Sequence, residues 1–128
     1  MKFTVLMYSN PAETKAMSAS DRDVVARKHE ALRTDLAGSG ELLSGAGLGD
    51  PEDTTTMRWR DGVLTSADGP LMADGPLMDV AEHLTAYYVI ECESSERARS
   101  IAERVLDFHV TAVEVRQVHD SFGMGDGS

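Results

Sequence analysis

Two aspartates occupy equivalent positions in a tandem repeat of six residues. The hexapeptide Ala-Asp-Gly-Pro-Leu-Met forms Ala67–Met72 and is repeated at once as Ala73–Met78. Two copies are too few for a solenoid, which needs at least three stacked units, and each Gly-Pro pair interrupts regular structure. The repeat therefore predicts a loop that holds the carboxylates of Asp68 and Asp74 on a bend, where they could face a cleft. The alternative is a slipped duplication that merely lengthened a hairpin.

A histidine falls on the apolar face of the first long helical pattern. Val25, His29, Leu32 and Leu36 follow one another at spacings of four, three and four residues, which places all four on one face of a helix. His29 is therefore expected to point inward, either as a hydrogen-bonded core residue or as a base. A nearby carboxylate would raise its basicity and fix its tautomer. Such a pair suits elimination or isomerisation, so we expect no redox cofactor.

Charged side chains on the predicted sheet form a second group of candidates. If Arg58 and Arg116 face a covered side of the sheet, each needs a counterion or an anionic ligand, because an unpaired buried charge is costly. Glu91 and Glu114 could supply the pairing, and a small anionic or phenolic ligand is the alternative. Aromatic residues that could line the same pocket, or simply pack in the core, are Tyr8, Trp59 and Tyr87.

Other residue types with chemical potential give weak signals. His83, His109 and His119 are spaced too widely for a compact metal motif, so we expect no metal site. Cys92 is the single cysteine, which excludes an internal disulfide and favours a small buried hydrophobic residue. The glycine-rich segment 45–49 lacks the lysine of a phosphate-binding loop.

Composition limits the class of protein. The 128 residues suit one domain, and their formal net charge of −10 opposes binding to nucleic acid or to an anionic membrane surface. No apolar run approaches the roughly 20 residues that span a bilayer. The first residues are more typical of a strand than of a signal peptide. We therefore expect a cytoplasmic protein that is neither a nucleic-acid-binding nor a membrane protein.

The elements that must position these residues alternate between strands and helices. Two helices on one face of a mostly antiparallel sheet predict an α+β, ferredoxin-like fold in residues 1–120, followed by a flexible tail, 121–128. Asn10-Pro11 is expected to end the first strand. The predicted elements are a strand at 2–8, a helix from Ser18 or Ser20 to Gly38, strands at 41–47, 55–59, 63–66 and 85–92, a helix capped by Ser94 or Ser95, and a strand at 111–118.

The sheet face away from the helices mixes apolar and charged residues. Leu6, Tyr8 and Val118 would lie near one another there, beside Glu114 and Arg116. Such a face predicts a homodimer joined through its sheets and enclosing a polar pocket. A plain solvated face is the alternative, since antiparallel sheets tolerate one.

Several motifs together resemble a known family. Asp74-Gly75-Pro76-Leu77, the strand residues Tyr87–Glu91 and the segment Val113–Val118 are similar to YCII-related proteins of the DGPF type. The resemblance covers nearly the whole chain, from the Lys2 strand to Val118. Leucine replaces the family's phenylalanine after Asp-Gly-Pro, and Gln117 replaces its proline. One Asp-Gly-Pro is usual, so the second copy is interpreted as a six-residue insertion.

The resemblance implies a fold, a site and a partner. It implies a dimeric α+β barrel, in which the sheets of two subunits face each other across a cleft. It also implies a histidine–aspartate pair proposed as catalytic in the wider group. The histidine lies eleven residues before a helix-ending glycine, which is His29 counted back from Gly40. The aspartate matches Asp68 or Asp74.

Two classes of function follow from the same resemblance. One relative in the superfamily is a dehydrochlorinase of a chlorinated hydroxyhydroquinone, which implies a small-molecule lyase or isomerase. Other relatives occur beside or fused to alternative sigma factors, which implies a non-catalytic ligand-binding or regulatory homodimer linked to transcription control. A purely structural dimer is the third interpretation.

Overall fold

The computed structural model describes residues 1–71 and 82–123. Their secondary structure follows the expected alternation of strands and helices, with one added helix. The second hexapeptide, Ala73–Met78, and therefore Asp74, lies outside the described residues. The elements are β1 (Lys2–Ser9), α1 (Pro11–Ala16), α2 (Ala19–Gly38), β2 (Leu42–Gly47), a 3-10 turn (Pro51–Asp53), β3 (Thr55–Arg60), β4 (Val63–Asp68), β5 (His83–Glu91), α3 (Ser95–Val105) and β6 (Ala112–Gln117).

Four strands form the main sheet in the order β2-β5-β1-β6, and all neighbouring pairs are antiparallel. The path β1-α2-β2 followed by β5-α3-β6 interleaves two strand–helix–strand units, which is the ferredoxin-like arrangement. The predicted α+β, ferredoxin-like fold is confirmed. This strand order leaves β2 at an edge of the sheet, where its residues are open to a neighbouring cavity.

Strand β1 separates the two faces of the sheet. Phe3, Val5 and Met7 are buried on the helix side, while the residues between them are only partly covered. Their partners on β5 and β6 continue the same alternation, because cross-strand neighbours share a face. The core therefore lies between this face of the sheet and the helices.

Both long helices begin where the sequence indicates. The hydroxyl of Ser18 accepts a hydrogen bond from the backbone N–H of Asp21, and Ser94 does the same for Arg97. These caps satisfy donors that a helix start otherwise leaves without partners. Helix α3 buries one apolar side, formed by Ala98, Ile101, Ala102 and Val105 at helical spacing.

A short helix, α1, was missed by the sequence interpretation. Asn10 ends β1 as expected, but its side chain also accepts hydrogen bonds from the backbone N–H groups of Ala12 and Glu13. Pro11 occupies the first helical turn, where its missing N–H costs nothing. The Asn-Pro pair is thus both a strand end and a helix start, and α1 becomes one wall of the cavity described below.

Strands β3 and β4 form a separate two-stranded ribbon. Asp61 and Gly62 connect them with positive φ angles of 50° and 79°, as the Asp-Gly signal predicts for a tight hairpin turn. Trp59 and Leu64 pair across the ribbon and are largely exposed.

No helix in residues 1–71 and 82–123 is both long enough and apolar enough to cross a membrane.

Candidate functional site

A cavity of about 820 Å³ lies on the helix side of the sheet. Helices α1 and α2, edge strand β2 and the loop after α3 enclose it. Its volume falls in the range of small-molecule sites. Apolar side chains in its wall include Met7, Val25, Leu42, Leu43, Tyr88 and Val110, and polar ones include Thr14, Lys15, His29, Arg33, Thr85 and His109.

His29 projects from α2 into this cavity and is half-buried. Burial lowers its pKa below the ordinary 6.5, because the imidazolium ion loses solvation. Asp107 opposes this effect, while the positive charges of Lys28 and Arg33 reinforce it. The net result favours the neutral imidazole, which is the form that accepts a proton.

Asp107 organises the loop between α3 and β6. Its Oδ1 accepts hydrogen bonds from the backbone N–H groups of His109, at 2.7 Å, and Val110, at 2.6 Å. Its buried Oδ2 makes no hydrogen bond within the described ranges, but it lies 3.4 Å from Nζ of Lys28 as an ion pair. Burial alone would raise the pKa of Asp107, but the backbone hydrogen bonds and Lys28 together lower it. The result is a carboxylate ion whose charge acts on His29.

His109 is the second imidazole in the cavity wall. Its Nδ1 lies 3.2 Å from Oγ1 of Thr14 on α1. The same hydroxyl oxygen lies 3.1 Å from the carbonyl oxygen of Asn10 and donates to it. His109 is therefore held between the loop organised by Asp107 and the short helix.

Two cations border the cavity, and they differ in their pairing. Lys15 is neutralised by Glu52, whose Oε1 lies 3.0 Å from Nζ. Arg33 follows His29 by one helical turn and makes no salt bridge within residues 1–71 and 82–123. The wall that carries His29 therefore also carries a positive charge with no counterion in the described part of the chain.

The glycines of β2 let this strand approach its neighbour closely. A methyl group at Gly45 would lie 2.7 Å from Cδ1 of Tyr88 and 2.9 Å from the carbonyl oxygen of Tyr87. The Tyr88 ring, which is buried, occupies the space where a side chain would be. Gly45 thus has a packing role, because its lack of a side chain makes room for the Tyr88 ring in the cavity floor.

Comparison with known proteins decides the family. The model of the YCII-related domain matches residues 1–120, which is nearly the whole chain. The protein belongs to the YCII-related family. A relative from Rhizobium meliloti (strain 1021), described as an uncharacterized protein, is 28% identical over 102 residues, covering 80% of this chain and 77% of the relative.

The aspartates implied by the YCII-related pattern are placed only in part. Asp68 is the last residue of β4 and is exposed, and it does not line the cavity as the described residues define it. Asp74 lies outside those residues. The pairing of His29 with either aspartate stays a prediction, and Asp107 is the carboxylate whose charge favours protonation of His29.

Four side chains predicted to bind substrate lie elsewhere. Tyr8 donates a hydrogen bond to Glu114 on the outer sheet face, and burial together with this carboxylate raises the pKa of Tyr8 to about 12. Arg116 and Tyr87 lie on the same outer face, while Arg58 lies on β3 of the ribbon. None of the four is part of the cavity lining found among the described residues. Contact of Tyr8, Tyr87 and Arg116 with substrate would require a second site on the outer face, and Arg58 belongs to the separate ribbon.

Sequence reasoning missed three residues of the cavity region. Arg33 had a readable signal, since it lies one helical turn after His29 on the same helix. His109 and Asp107 had none, because their approach to α2 depends on how the loop after α3 packs. A histidine whose spacing does not match a metal-binding motif can still take part in proton transfer.

Proposed function

We propose that the protein binds a small anionic molecule in the cavity between α2 and the sheet, with His29 as a general base for elimination or isomerisation. The observation that carries the proposal is the presence, one helical turn apart in one cavity wall, of a half-buried imidazole and a guanidinium that makes no salt bridge with the described part of the chain. Both reactions are redox-neutral, so they need a base and an acid but no oxidant or reductant.

The electrostatics of this wall support binding and proton abstraction together. Arg33 attracts an anion, and its charge also disfavours protonation of His29. An anionic substrate would therefore be drawn to a base already in its neutral form. A guanidinium suits a carboxylate especially well, because it can donate two parallel hydrogen bonds.

The histidine–aspartate pair is retained as part of the proposal. If Asp68 or Asp74 approaches His29 in the working enzyme, it would orient the imidazole as the family pattern implies. Substitutions Asp68→Asn and Asp74→Asn, made separately, would show which copy acts. Full turnover in both variants would contradict the pairing of His29 with either aspartate.

Binding is tested with salicylate, which carries both a carboxylate and a phenolic hydroxyl. Calorimetric titration should detect binding to the wild type and an affinity weaker by about tenfold to a hundredfold in Arg33→Met, as expected for a lost charged hydrogen bond. Arg27→Met is the matched control, since Arg27 lies on the same helix but pairs with Asp23 on the surface. Equal affinity in all three proteins would contradict the proposal.

Catalysis is tested separately from binding. Chloride release from a chlorinated hydroxyhydroquinone should occur with the wild type and be lost in His29→Gln, while salicylate still binds to that variant. Binding without turnover would instead favour the second candidate, a ligand-responsive regulator linked to transcription control. That candidate draws support from the exposed apolar residues of the β3–β4 ribbon, Trp59 and Leu64, which could contact a partner protein.

We also propose that the protein works as a cytoplasmic homodimer joined through the outer sheet faces. Leu6, Tyr8 and Tyr87 lie on that face and remain partly exposed in one chain. Covering them would bury apolar area that solvent otherwise contacts.

A further inference from the structure

We infer that His109 is the second proton-transfer group of this cavity and that its Nε2 is the atom that accepts and releases the proton. The inference rests on the proposed function and extends it to a residue that the family pattern does not supply. Its basis is the geometry around Thr14, which determines where the proton of the imidazole must lie.

The hydroxyl of Thr14 has one hydrogen and two neighbours. The carbonyl oxygen of Asn10, at 3.1 Å, can only accept a hydrogen bond, so it takes that hydrogen. Nδ1 of His109, at 3.2 Å from the same oxygen, must then donate to a lone pair of the hydroxyl. We assign the proton of neutral His109 to Nδ1 on this ground. Nε2 is left with the free lone pair and is the basic atom of the ring.

The backbone of His109 is fixed as firmly as its ring. Its N–H donates to Oδ1 of Asp107, and the N–H of Val110 donates to the same atom. Asp107 N–H in turn donates to the carbonyl oxygen of Val110, which closes the turn. Two elements distant in sequence, α1 and this loop, thus hold one imidazole in the cavity wall.

Two histidines in one cavity allow one to act as the general base and the other as the general acid. In an elimination, neutral His29 takes a proton from carbon, and the C–H electron pair becomes the new double bond. His109 begins the cycle as the imidazolium ion, and the leaving group departs with its bonding pair and takes the Nε2 proton, which returns His109 to the neutral Nδ1–H ring. The cycle closes when water returns a proton to His109 and accepts one from His29, so charge and atoms balance.

The charges around the pair also suit such an exchange. The charge of Asp107 acts on His29 from the loop, where its carboxylate also holds the backbone of His109, while Lys28 and Arg33 act on His29 from α2. Lys15 and Asp50 border the same cavity from α1 and from the segment after β2. A proton on one imidazole disfavours a proton on the other, because His109 in its charged form lowers the pKa of His29.

The first test is the tautomer of His109, read by long-range ¹H–¹⁵N correlation spectroscopy of labelled protein. The wild type should show Nδ1 protonated and Nε2 unprotonated in the neutral ring. Thr14→Val should shift His109 toward the Nε2–H form, and Thr14→Ser should retain the wild-type pattern. Thr34→Val is the control, since Thr34 is exposed on α2 and does not line the cavity. An Nε2–H tautomer in the wild type, or no change in Thr14→Val, would overturn the inference.

The second test asks whether a ligand reaches Nε2. Diethyl pyrocarbonate acylates unprotonated imidazole nitrogens, and peptide mass spectrometry locates the product. At a salicylate concentration ten times its Kd, only about one tenth of the protein molecules have an empty cavity. Acylation of His29 and of His109 should therefore each slow by about tenfold. Exposed His119 should react at the same rate with and without salicylate and serves as the internal control.

The outcomes separate the two proposals. Protection of His29 alone would overturn the role of His109 and leave the proposed function standing. Protection of neither histidine would overturn the proposed function and, with it, the assignment of His109 to proton transfer. Protection of both, together with the Nδ1–H tautomer, would support the pair.

Discussion

At the residue scale, neighbours that arrive from distant parts of the chain set the properties of the cavity. His29 is inward-facing because of its place on α2, but burial and the charges of Asp107, Lys28 and Arg33 set its protonation. The floor of the cavity depends on the absence of a side chain at Gly45, which leaves room for the ring of Tyr88.

Gly45→Ala should destabilise the protein by about 1–3 kcal/mol, as overpacking does in a tight core. The added methyl group would clash with the Tyr88 ring and with the backbone carbonyl of Tyr87, and backbone cannot move as cheaply as a side chain. Gly47→Ala is the matched control, since a methyl group there meets no atom within 4 Å. Urea denaturation measures both, and equal stabilities would show that β2 moves aside without cost.

His29 should make the free energy of unfolding depend on pH just below neutrality. Its pKa is lower in the folded protein than the ordinary 6.5, so the unfolded chain binds more protons there. Stability should therefore fall as pH drops from 6.5 toward the folded-state pKa, and His29→Gln should remove this part of the slope. Urea denaturation of the wild type and of His29→Gln between pH 7 and 5 tests it. A steeper slope in His29→Gln would contradict the direction of the pKa shift.

At the element scale, the sheet is tied to its helices by contacts at strand ends as well as by the core. Arg97 of α3 donates two hydrogen bonds, at 2.8 and 2.9 Å, to the carboxylate of Glu41, which immediately precedes β2. The backbone carbonyl of Glu41 also accepts from the N–H of Glu91 at the end of β5. One residue thus links α3 to the strand that forms the cavity edge.

Glu41→Gln should lower the free energy of unfolding by about 1 kcal/mol near neutral pH. The effect is this small because solvent reaches Arg97 and screens the ion pair. The hydrogen bonds from Arg97 lower the pKa of Glu41 to about 2, against an ordinary 4.5. The contribution is therefore complete above about pH 4.5 and is lost as the pH falls toward 2. Acid denaturation curves of wild type and variant should converge in that interval. Glu52→Gln, in a more exposed pair with Lys15, should change stability by less.

At the scale of the whole molecule, the helices leave the outer face of the sheet partly exposed to solvent. The helices cover one face, and the other carries Leu6, Tyr8 and Tyr87 beside the charges of Glu114 and Arg116. The family to which the chain belongs and the composition of this face both lead to the proposal of a homodimer.

Light scattering during size-exclusion chromatography should give the mass of a dimer for the wild type at micromolar concentration. Leu6→Lys should shift the protein to monomer, because the lysine places a charge in the centre of the proposed interface. The monomer should still fold, because Glu114 lies opposite residue 6 on β6 and can pair with the lysine. Val24→Lys is the control, since Val24 is exposed on α2. A wild-type monomer would contradict the proposal, and a dimer broken only by Val24→Lys would place the interface on the helices.

The sequence by itself determined the elements and their inward faces. The alternation in β1, the serine caps of α2 and α3 and the Asp-Gly turn of the hairpin are all local patterns, and each is present in the structure. Such patterns can be read from a single chain because they depend on residues only a few positions apart. The inward direction of His29 belongs to this group.

Only the tertiary structure decided what surrounds His29. Asp107 and His109 come from a loop about 80 residues further along the chain, and they reach the cavity because α3 and β6 pack against β1. Thr14 lies on a helix that the sequence interpretation did not contain, yet it assigns the tautomer of His109. Spacing along the chain carries no information about such meetings, since they depend on the burial of apolar faces between elements that are remote in sequence.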